Sequence, residues 1–140
     1  MINLEETLLL IKPDGVEKKL FKLIASRIFN LKLKISQISC CQLEVEDVEF
    51  LYKGNGLMYD QYCAVESFMV SGPVIILLVT GENAVKLVKY GLVGKYDRRQ
   101  GLRWEFGETP VKNVAHAPEN ATEALQQITY FFLTNSQSSY

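Results

Sequence analysis

The chain contains one histidine, His116, which lies in the short apolar segment 113–118. The unperturbed pKa of an imidazole is about 6.5, so a neutral histidine can serve as a nucleophile or a general base at physiological pH. The alternative is a structural histidine at the end of a strand. The residue type alone leaves both roles open, and the groups that surround it must decide.

Two other segments carry cations that could bind an anion. Residues 12–15, Lys-Pro-Asp-Gly, follow an apolar run, so Lys12 leaves the predicted strand on a stiff turn. Residues 95–103 contain Lys95, Arg98, Arg99 and Arg103. Clustered cations repel one another unless an anion joins them, and arginine matches phosphate geometry. Both segments can also be read as solvated surface, a plain turn and a surface loop.

The motifs that are missing narrow the choice of anion. The phosphate-binding pattern GxxxxGK[ST] is absent, so no Walker-type loop is expected. RNA is the competing anion, but no strand has the aromatic pattern of an RNA-binding sheet, and nucleic acid is not the expected partner. Tyr52, Tyr59 and Tyr62 lie near a predicted helix–helix turn, where they are either core residues or a platform on which a base stacks.

Composition excludes several classes of protein. A net charge of −1 gives no bulk field that recruits nucleic acid or anionic membrane. Cys40, Cys41 and Cys63 lack metal-ligand spacing, and an odd cysteine count predicts a reducing compartment. No secretion signal and no membrane-spanning stretch is predicted, so the expected location is the cytoplasm.

Hydrophobic periodicity predicts one α+β domain over residues 1–132 and a polar tail over 133–140. The predicted strands are 7–11, 32–43, 73–80 and 111–116, the predicted helices are 15–30, 44–53, 58–69, 83–90 and 119–132, and 95–111 is a predicted loop. This order describes a ferredoxin-like βαββαβ sandwich, a four-stranded antiparallel sheet with helices on one face.

The motifs together resemble the nucleoside diphosphate kinase family. IKPDGV at 11–16, SGPV at 71–74 and NVAH at 113–116 match the family's signatures in order and in nearly all spacings, and the resemblance covers about residues 5–132. It implies a ferredoxin-like fold and a Mg²⁺-dependent ping-pong reaction. In that reaction the γ-phosphate of ATP or another nucleoside triphosphate passes to a nucleoside diphosphate through a phosphohistidine.

The resemblance also implies a role for individual residues. His116 is the implied nucleophile, Lys12 contacts the transferring phosphate, and Tyr52 holds the Lys12/His116 side of the site. Arg103 falls on a phosphate-contacting arginine, and Asn113 falls on an asparagine that bonds ribose and phosphate oxygens. Mg²⁺ is expected on the nucleotide phosphates without protein ligands, and relatives form hexamers or tetramers built on dimers.

The sequence departs from the family pattern around the basic loop and around the histidine. Tyr90 stands where the family has an arginine, and Tyr96 stands where a loop threonine binds phosphate. We expect Arg98 or Arg99 to replace these contacts. Pro118 replaces a serine, and Gln127 replaces the glutamate that orients the imidazole.

These departures leave two functions open besides an RNA-binding or purely structural domain. The first is an active kinase, in which the carbonyl of Gln127 accepts Nδ1–H of His116 and fixes the tautomer. The second is a degenerate module on the same fold that holds nucleotide or a partner with little turnover. Tyr59 or Tyr62 would stack on the base, because the family's phenylalanine has no clear counterpart.

Overall fold

The computed structural model describes residues 4–134 and contains a four-stranded antiparallel sheet with the strand order β2-β3-β1-β4. The strands are β1 (Leu4–Ile11), β2 (Lys34–Gln42), β3 (Pro73–Glu82) and β4 (Ala115–His116). Both neighbours of β1 run antiparallel to it, and β4 sits against its end, with Leu10 opposite His116. The sheet therefore places the histidine beside the last residues before Lys12.

The described part of the chain contains seven α-helices, six of them between the strands and α7 after β4. They are α1 (Pro13–Glu17), α2 (Phe21–Asn30), α3 (Val45–Tyr52), α4 (Tyr59–Met69), α5 (Ala84–Lys86), α6 (Gly101–Phe106) and α7 (Ala121–Ile128). Two π-helical segments, Leu87–Val93 and Thr129–Thr134, continue α5 and α7, and Tyr96–Arg98 forms a 3₁₀ turn. The predicted ferredoxin-like order of elements is confirmed.

The apolar core lies on both faces of the sheet, which corrects the expectation that helices cover one face. Side chains of a strand alternate between its two faces, so Leu8 and Leu10 point to one side and Leu9 and Ile11 to the other. All four are fully buried, and each pair belongs to a separate apolar cluster. A strand with a continuous buried run is covered on both sides, as the unbroken sequence TLLLI indicates.

The predicted loop 95–111 is wrong in part, because it contains α6. The helix is six residues long, too short to show helical periodicity, and Leu102 is its one fully buried side chain. Gly94 and Gly101 flank the turn before it, both with φ 71°. A Cβ on Gly94 would lie 2.1 Å from the carbonyl oxygen of Gln100, so the turn closes backbone against backbone.

Two other predicted elements are shorter than the sequence pattern suggests. The predicted helix 15–30 is divided into α1 and α2, because Lys19 adopts a left-handed conformation with φ 58°. The predicted strand 111–116 pairs with β1 through Ala115 and His116 alone, because Val114 turns the backbone with φ 67°. Local dihedral angles of this kind leave no signal in hydrophobic periodicity.

The last helix reaches further than predicted. Its π-helical continuation includes Leu133 and ends at Thr134, the first two positions of the predicted polar tail, while the rest of that tail lies outside the described residues. Among residues 4–134, no helix combines the length and the apolar character that a membrane span requires.

Candidate active site

His116 is the centre of a buried polar cluster at the end of β1. The side chain is 8% exposed, and its Nε2 lies 3.1 Å from Oε1 of Gln127 on α7. An amide oxygen can only accept, so Nε2 carries the proton and donates it to Gln127. This corrects the expectation that Gln127 accepts from Nδ1–H. The lone pair of Nδ1 is the one left for chemistry.

Lys12 and Asn113 form the second part of the cluster. Lys12 Nζ donates to Oδ1 of Asn113 at 2.6 Å, and Nδ2 of Asn113 donates to the Pro110 carbonyl at 2.8 Å. Both side chains are 5% exposed. Since the amide oxygen holds the ammonium and the amide nitrogen is anchored to the backbone, the Lys12 head group has one defined position.

Arg103 and Tyr52 approach the histidine from two other elements. Arg103, on α6, donates from Nε to the Ala115 carbonyl at 3.0 Å, one residue before His116. Tyr52, the last residue of α3, has its ring centroid 5.7 Å from that of His116. Its hydroxyl is buried and has no hydrogen-bond partner within the described chain. A buried hydroxyl without a partner is costly, so this atom is available to a ligand.

Lys89 belongs to the same cluster, although sequence reasoning missed it. Its side chain is 11% exposed, and Nζ lies 3.6 Å from a carboxylate oxygen of Glu119, which also accepts the Tyr90 hydroxyl. Tyr90, which stands at the position of the family's arginine, is exposed. Its neighbour Lys89 is the residue that brings a positive charge into the site. The signal that could have found it was a lysine one position from the expected arginine.

The electrostatics of the cluster favour an anion. Burial, then Lys12, then Arg103 lower the pKa of His116 to about 3, so the imidazole is neutral at physiological pH. Burial, then Arg103, lower the pKa of Lys12 to about 7. Burial also lowers the pKa of Arg103. Burial, then Arg103, lower the pKa of Lys89. Within residues 4–134, neither Lys12 nor Arg103 forms an ion pair with a carboxylate. A bound phosphate would supply the missing negative charge.

The other two arginines of the basic segment are not brought into this cluster. Arg98 and Arg99 are exposed, and the Arg99 guanidinium lies over the Trp104 ring at 5.5 Å. Tyr96, at the expected position of the loop threonine, donates its hydroxyl to the Glu108 carbonyl at 3.1 Å. That Arg98 or Arg99 contacts phosphate therefore stays a prediction.

A cleft next to the cluster contains the three tyrosines singled out in the sequence. Its volume is about 740 Å³, and Tyr52, Tyr59 and Tyr62 are among the residues that line it. Tyr59 is 80% exposed at the start of α4, while Tyr62 is partly buried. Tyr52 lines the cleft, and its ring centroid lies 5.7 Å from that of His116, so the cleft adjoins the cluster on the Tyr52 side.

The described residues contain no group of three or more His, Cys, Asp or Glu side chains that could hold a metal ion. Mg²⁺ keeps several of its waters and is commonly bound through substrate phosphates with one or two carboxylates at most. The lysine and arginine side chains of the cluster cannot ligate a cation, so Mg²⁺ would have to be held by the phosphates of a nucleotide.

Comparison with known proteins establishes the family to which the chain belongs. The family model described as "Nucleoside diphosphate kinase" matches residues 5–136, which is nearly the whole chain. The chain belongs to the nucleoside diphosphate kinase family. The family membership expected from the motifs is thus confirmed.

Relatives and solved structures agree with this assignment. The nucleoside diphosphate kinase of Kosmotoga olearia is 30% identical, over 98% of this chain and 95% of its own. A crystal structure of the Aquifex aeolicus nucleoside diphosphate kinase, 26% identical, covers 93% of this chain and 96% of its own with a TM-score of 0.82. The fold is also that of the Halobacterium salinarum enzyme, solved in complex with CDP, which is 24% identical and covers 95% of this chain and 90% of its own with a TM-score of 0.84.

Membership in the nucleoside diphosphate kinase family gives the reaction. The chain is a phosphotransferase that moves the γ-phosphate of a nucleoside triphosphate to a nucleoside diphosphate. Nothing in these comparisons favours the degenerate binding module that the departures at Gln127 and Pro118 left open.

Proposed function

We propose that His116 carries the phosphoryl group between the two nucleotides of this reaction. Nδ1 attacks the γ-phosphorus, the bond from phosphorus to the β–γ bridging oxygen breaks, and the nucleoside diphosphate leaves with that oxygen. A second nucleoside diphosphate then takes the phosphoryl group from Nδ1. The observation that carries the proposal is the buried neutral imidazole whose Nε2 is held by Gln127 while Nδ1 is not.

Four polar side chains would bind the phosphates. Lys12, Arg103 and Lys89 supply positive charge around the equatorial oxygens of the transferring group. These oxygens carry the negative charge of the transition state of phosphoryl transfer. Asn113, which holds Lys12 at 2.6 Å, bonds ribose or phosphate oxygens through its remaining capacity. Lys89 takes the role of the family's arginine, since its side chain is largely buried beside Arg103.

Arg98 and Arg99 have a weaker role in this proposal. Both are exposed, so they would reach a bound phosphate only from the solvent side. The buried hydroxyl of Tyr52 completes the site, because an oxygen of the phosphoryl group would satisfy it.

The base and the ribose would occupy the cleft lined by the three tyrosines. Stacking on an aromatic ring tolerates any base, in keeping with a substrate class of nucleoside di- and triphosphates that includes ATP. Tyr59 and Tyr62 are the two candidate platforms. Mg²⁺ would arrive on the phosphates and neutralise part of their charge.

Two broader features of the protein belong to the same proposal. We expect a homo-oligomer, a hexamer or tetramer built on dimers, and β2 supports this because it is an edge strand that exposes Ile38. We also expect a cytoplasmic location, since Cys40, Cys41 and Cys63 are free thiols that suit a reducing compartment. Light scattering on the purified protein measures the oligomeric state.

One labelling experiment tests the proposed reaction. The protein is incubated with γ-labelled ATP and Mg²⁺, and the label on the protein is then challenged with GDP. We expect an acid-labile, base-stable label that GDP discharges and that His116→Ala does not acquire. Label that persists on His116→Ala contradicts the proposal, because the chain has no other imidazole.

A further inference from the structure

The backbone makes a strained turn two residues before His116. The Ala115 amide donates to the Asn113 carbonyl at 2.9 Å, across a turn of three residues whose centre, Val114, has φ 67°. A three-residue turn with positive φ at its centre is rare and strained. A β-branched residue in that region is an outlier that persists only where the surrounding structure holds it.

The residue that holds this turn is Asp14. Asp14 is 7% exposed, and its two carboxylate oxygens accept separate backbone amides, Val114 at 3.2 Å and Gly15 at 3.0 Å. The Lys12 amide donates to the Val114 carbonyl at 2.8 Å, so both polar groups of Val114 are bound by the segment 12–15. Burial raises the pKa of Asp14, but the neighbouring Lys12 ammonium and the two accepted amides oppose that shift.

The close approach of the two segments requires a glycine. A Cβ on Gly15 would lie 2.7 Å from the Val114 carbonyl oxygen and 2.8 Å from a methyl carbon of Ile11. The glycine is needed here for space and not for its dihedral angles. The segment 12–15 is therefore shaped to touch the turn at Val114.

The turn directs the two functional side chains on either side of it. Asn113, just before the turn, holds the Lys12 ammonium, and His116 follows two residues after Val114. Between them the Ala115 carbonyl accepts Nε of Arg103. If Val114 relaxed to an extended conformation, the direction of Asn113 relative to His116 would change.

We propose that Asp14 is a positioning residue, which holds Val114 in its strained turn and so fixes Asn113 and His116 for phosphoryl transfer. This inference rests on the proposed function of His116. Asp14 touches neither nucleotide nor phosphoryl group in this proposal. It acts through the backbone of Val114.

The test uses rescue by glycine. Asp14→Ala removes both accepted bonds, and we expect the labelling rate of His116 to fall at least tenfold. Val114→Gly in that background gives a residue that adopts positive φ without steric cost, so most of the rate should return. The same double variant loses a fully buried valine, so its melting temperature should fall further while its rate rises. A role in general stability cannot produce those opposite changes.

A second readout separates this inference from the proposed reaction. His116 is the only histidine, so its imidazole ¹⁵N resonances are unambiguous and report its tautomer without nucleotide. We expect one Nε2–H tautomer in the wild type, a mixture in Asp14→Ala and the wild-type pattern again in the double variant. If the wild type shows these shifts but takes no label from ATP, the proposed reaction fails and the positioning role stands.

A matched control and a second variant complete the experiment. Glu17→Ala removes an exposed carboxylate three residues further along and should change neither readout. Should Asp14→Ala fail to fold, Asp14→Asn replaces it, since an amide has one accepting oxygen in place of two. The proposal is overturned if loss of the Asp14 carboxylate leaves the labelling rate within twofold of wild type and the imidazole ¹⁵N resonances unchanged. It is also overturned if Val114→Gly restores neither the rate nor the resonances.

Discussion

Gln127 accepts the Nε2–H of His116 across 3.1 Å, and both side chains are buried. The amide fixes the tautomer, but it brings no charge to stabilise the positive charge that develops on the ring as Nδ1 attacks. Burial, and after it the nearby Lys12 and Arg103, disfavour that charge and lower the pKa of His116. This one contact therefore orients the nucleophile without activating it.

We predict that Gln127→Glu increases the rate at which His116 is phosphorylated. A carboxylate at the same position stabilises the imidazolium, and we expect a gain of about tenfold, which is about 1.4 kcal/mol of barrier. Rapid-quench labelling with γ-labelled ATP measures the rate. Gln126→Glu is the matched control, because its exposed side chain adds the same charge one residue away. An unchanged or lower rate for Gln127→Glu would mean that ring charge does not limit the step.

The second prediction concerns the protonation of Lys12. In the free protein its pKa is about 7, so Lys12 is largely neutral at pH 8 and largely charged at pH 6. A bound phosphate stabilises the ammonium and raises this pKa, so ADP binding should take up a proton at pH 8 and little at pH 6. Titration calorimetry in two buffers with different ionisation enthalpies measures the uptake.

Lys12→Met identifies the residue responsible for that uptake. Most of the proton uptake at pH 8 should disappear in this variant, whereas Lys89→Met should remove a smaller part, since the pKa of Lys89 is also lowered by burial and by Arg103. Uptake that is the same in Lys12→Met and in wild type would assign the proton to another group.

The order of the elements along the chain and most of the candidate site could be predicted from the sequence, because they depend on patterns that the sequence displays. The apolar runs of β1 and β3 indicate central strands, and the motifs around Lys12 and His116 are contiguous. Residues that depend on local backbone geometry were harder to predict. Lys89 lies in a π-helical segment, where hydrogen bonds span five residues, so the face on which a side chain lies does not follow α-helical spacing.

The nitrogen that Gln127 holds could not be predicted for a related reason. Sequence spacing places Gln127 on the buried side of α7, but which ring nitrogen it meets depends on the side-chain rotamer of His116. The strained turn at Val114 could not be predicted either, because valine is common in strands and predicts an extended backbone there.

The third prediction separates the cations that could replace the family's arginine. We expect Lys89→Met to weaken ADP binding by roughly tenfold or more, since loss of a charge-assisted contact costs about 1.5–3 kcal/mol. Arg98→Ala and Arg99→Ala should each change the affinity for ADP little, because both side chains are exposed. Titration with adenosine, which has no phosphate, should give the same affinity for all three variants.

Lys89→Arg is the informative control, since it restores the charge with the guanidinium that the family carries. Its ADP affinity should match or exceed that of the wild type. If Arg98→Ala or Arg99→Ala weakens ADP more than Lys89→Met does, the exposed loop and not the buried lysine supplies the phosphate contact.

The last prediction concerns which tyrosine stacks on the base. Tyr59 is the more exposed of the two residues, 80% exposed at the edge of the cleft, while Tyr62 is partly buried. Stacking of a base on an aromatic ring contributes about 1–3 kcal/mol, so Tyr59→Ala should weaken ADP and adenosine by the same factor, roughly tenfold. Tyr59→Phe keeps the ring and should bind both as the wild type does. Calorimetry with the two ligands measures each factor, and a loss confined to ADP would exclude stacking as its cause. A loss in Tyr62→Ala, with Tyr59→Ala unchanged, would place the base deeper in the cleft against the partly buried ring.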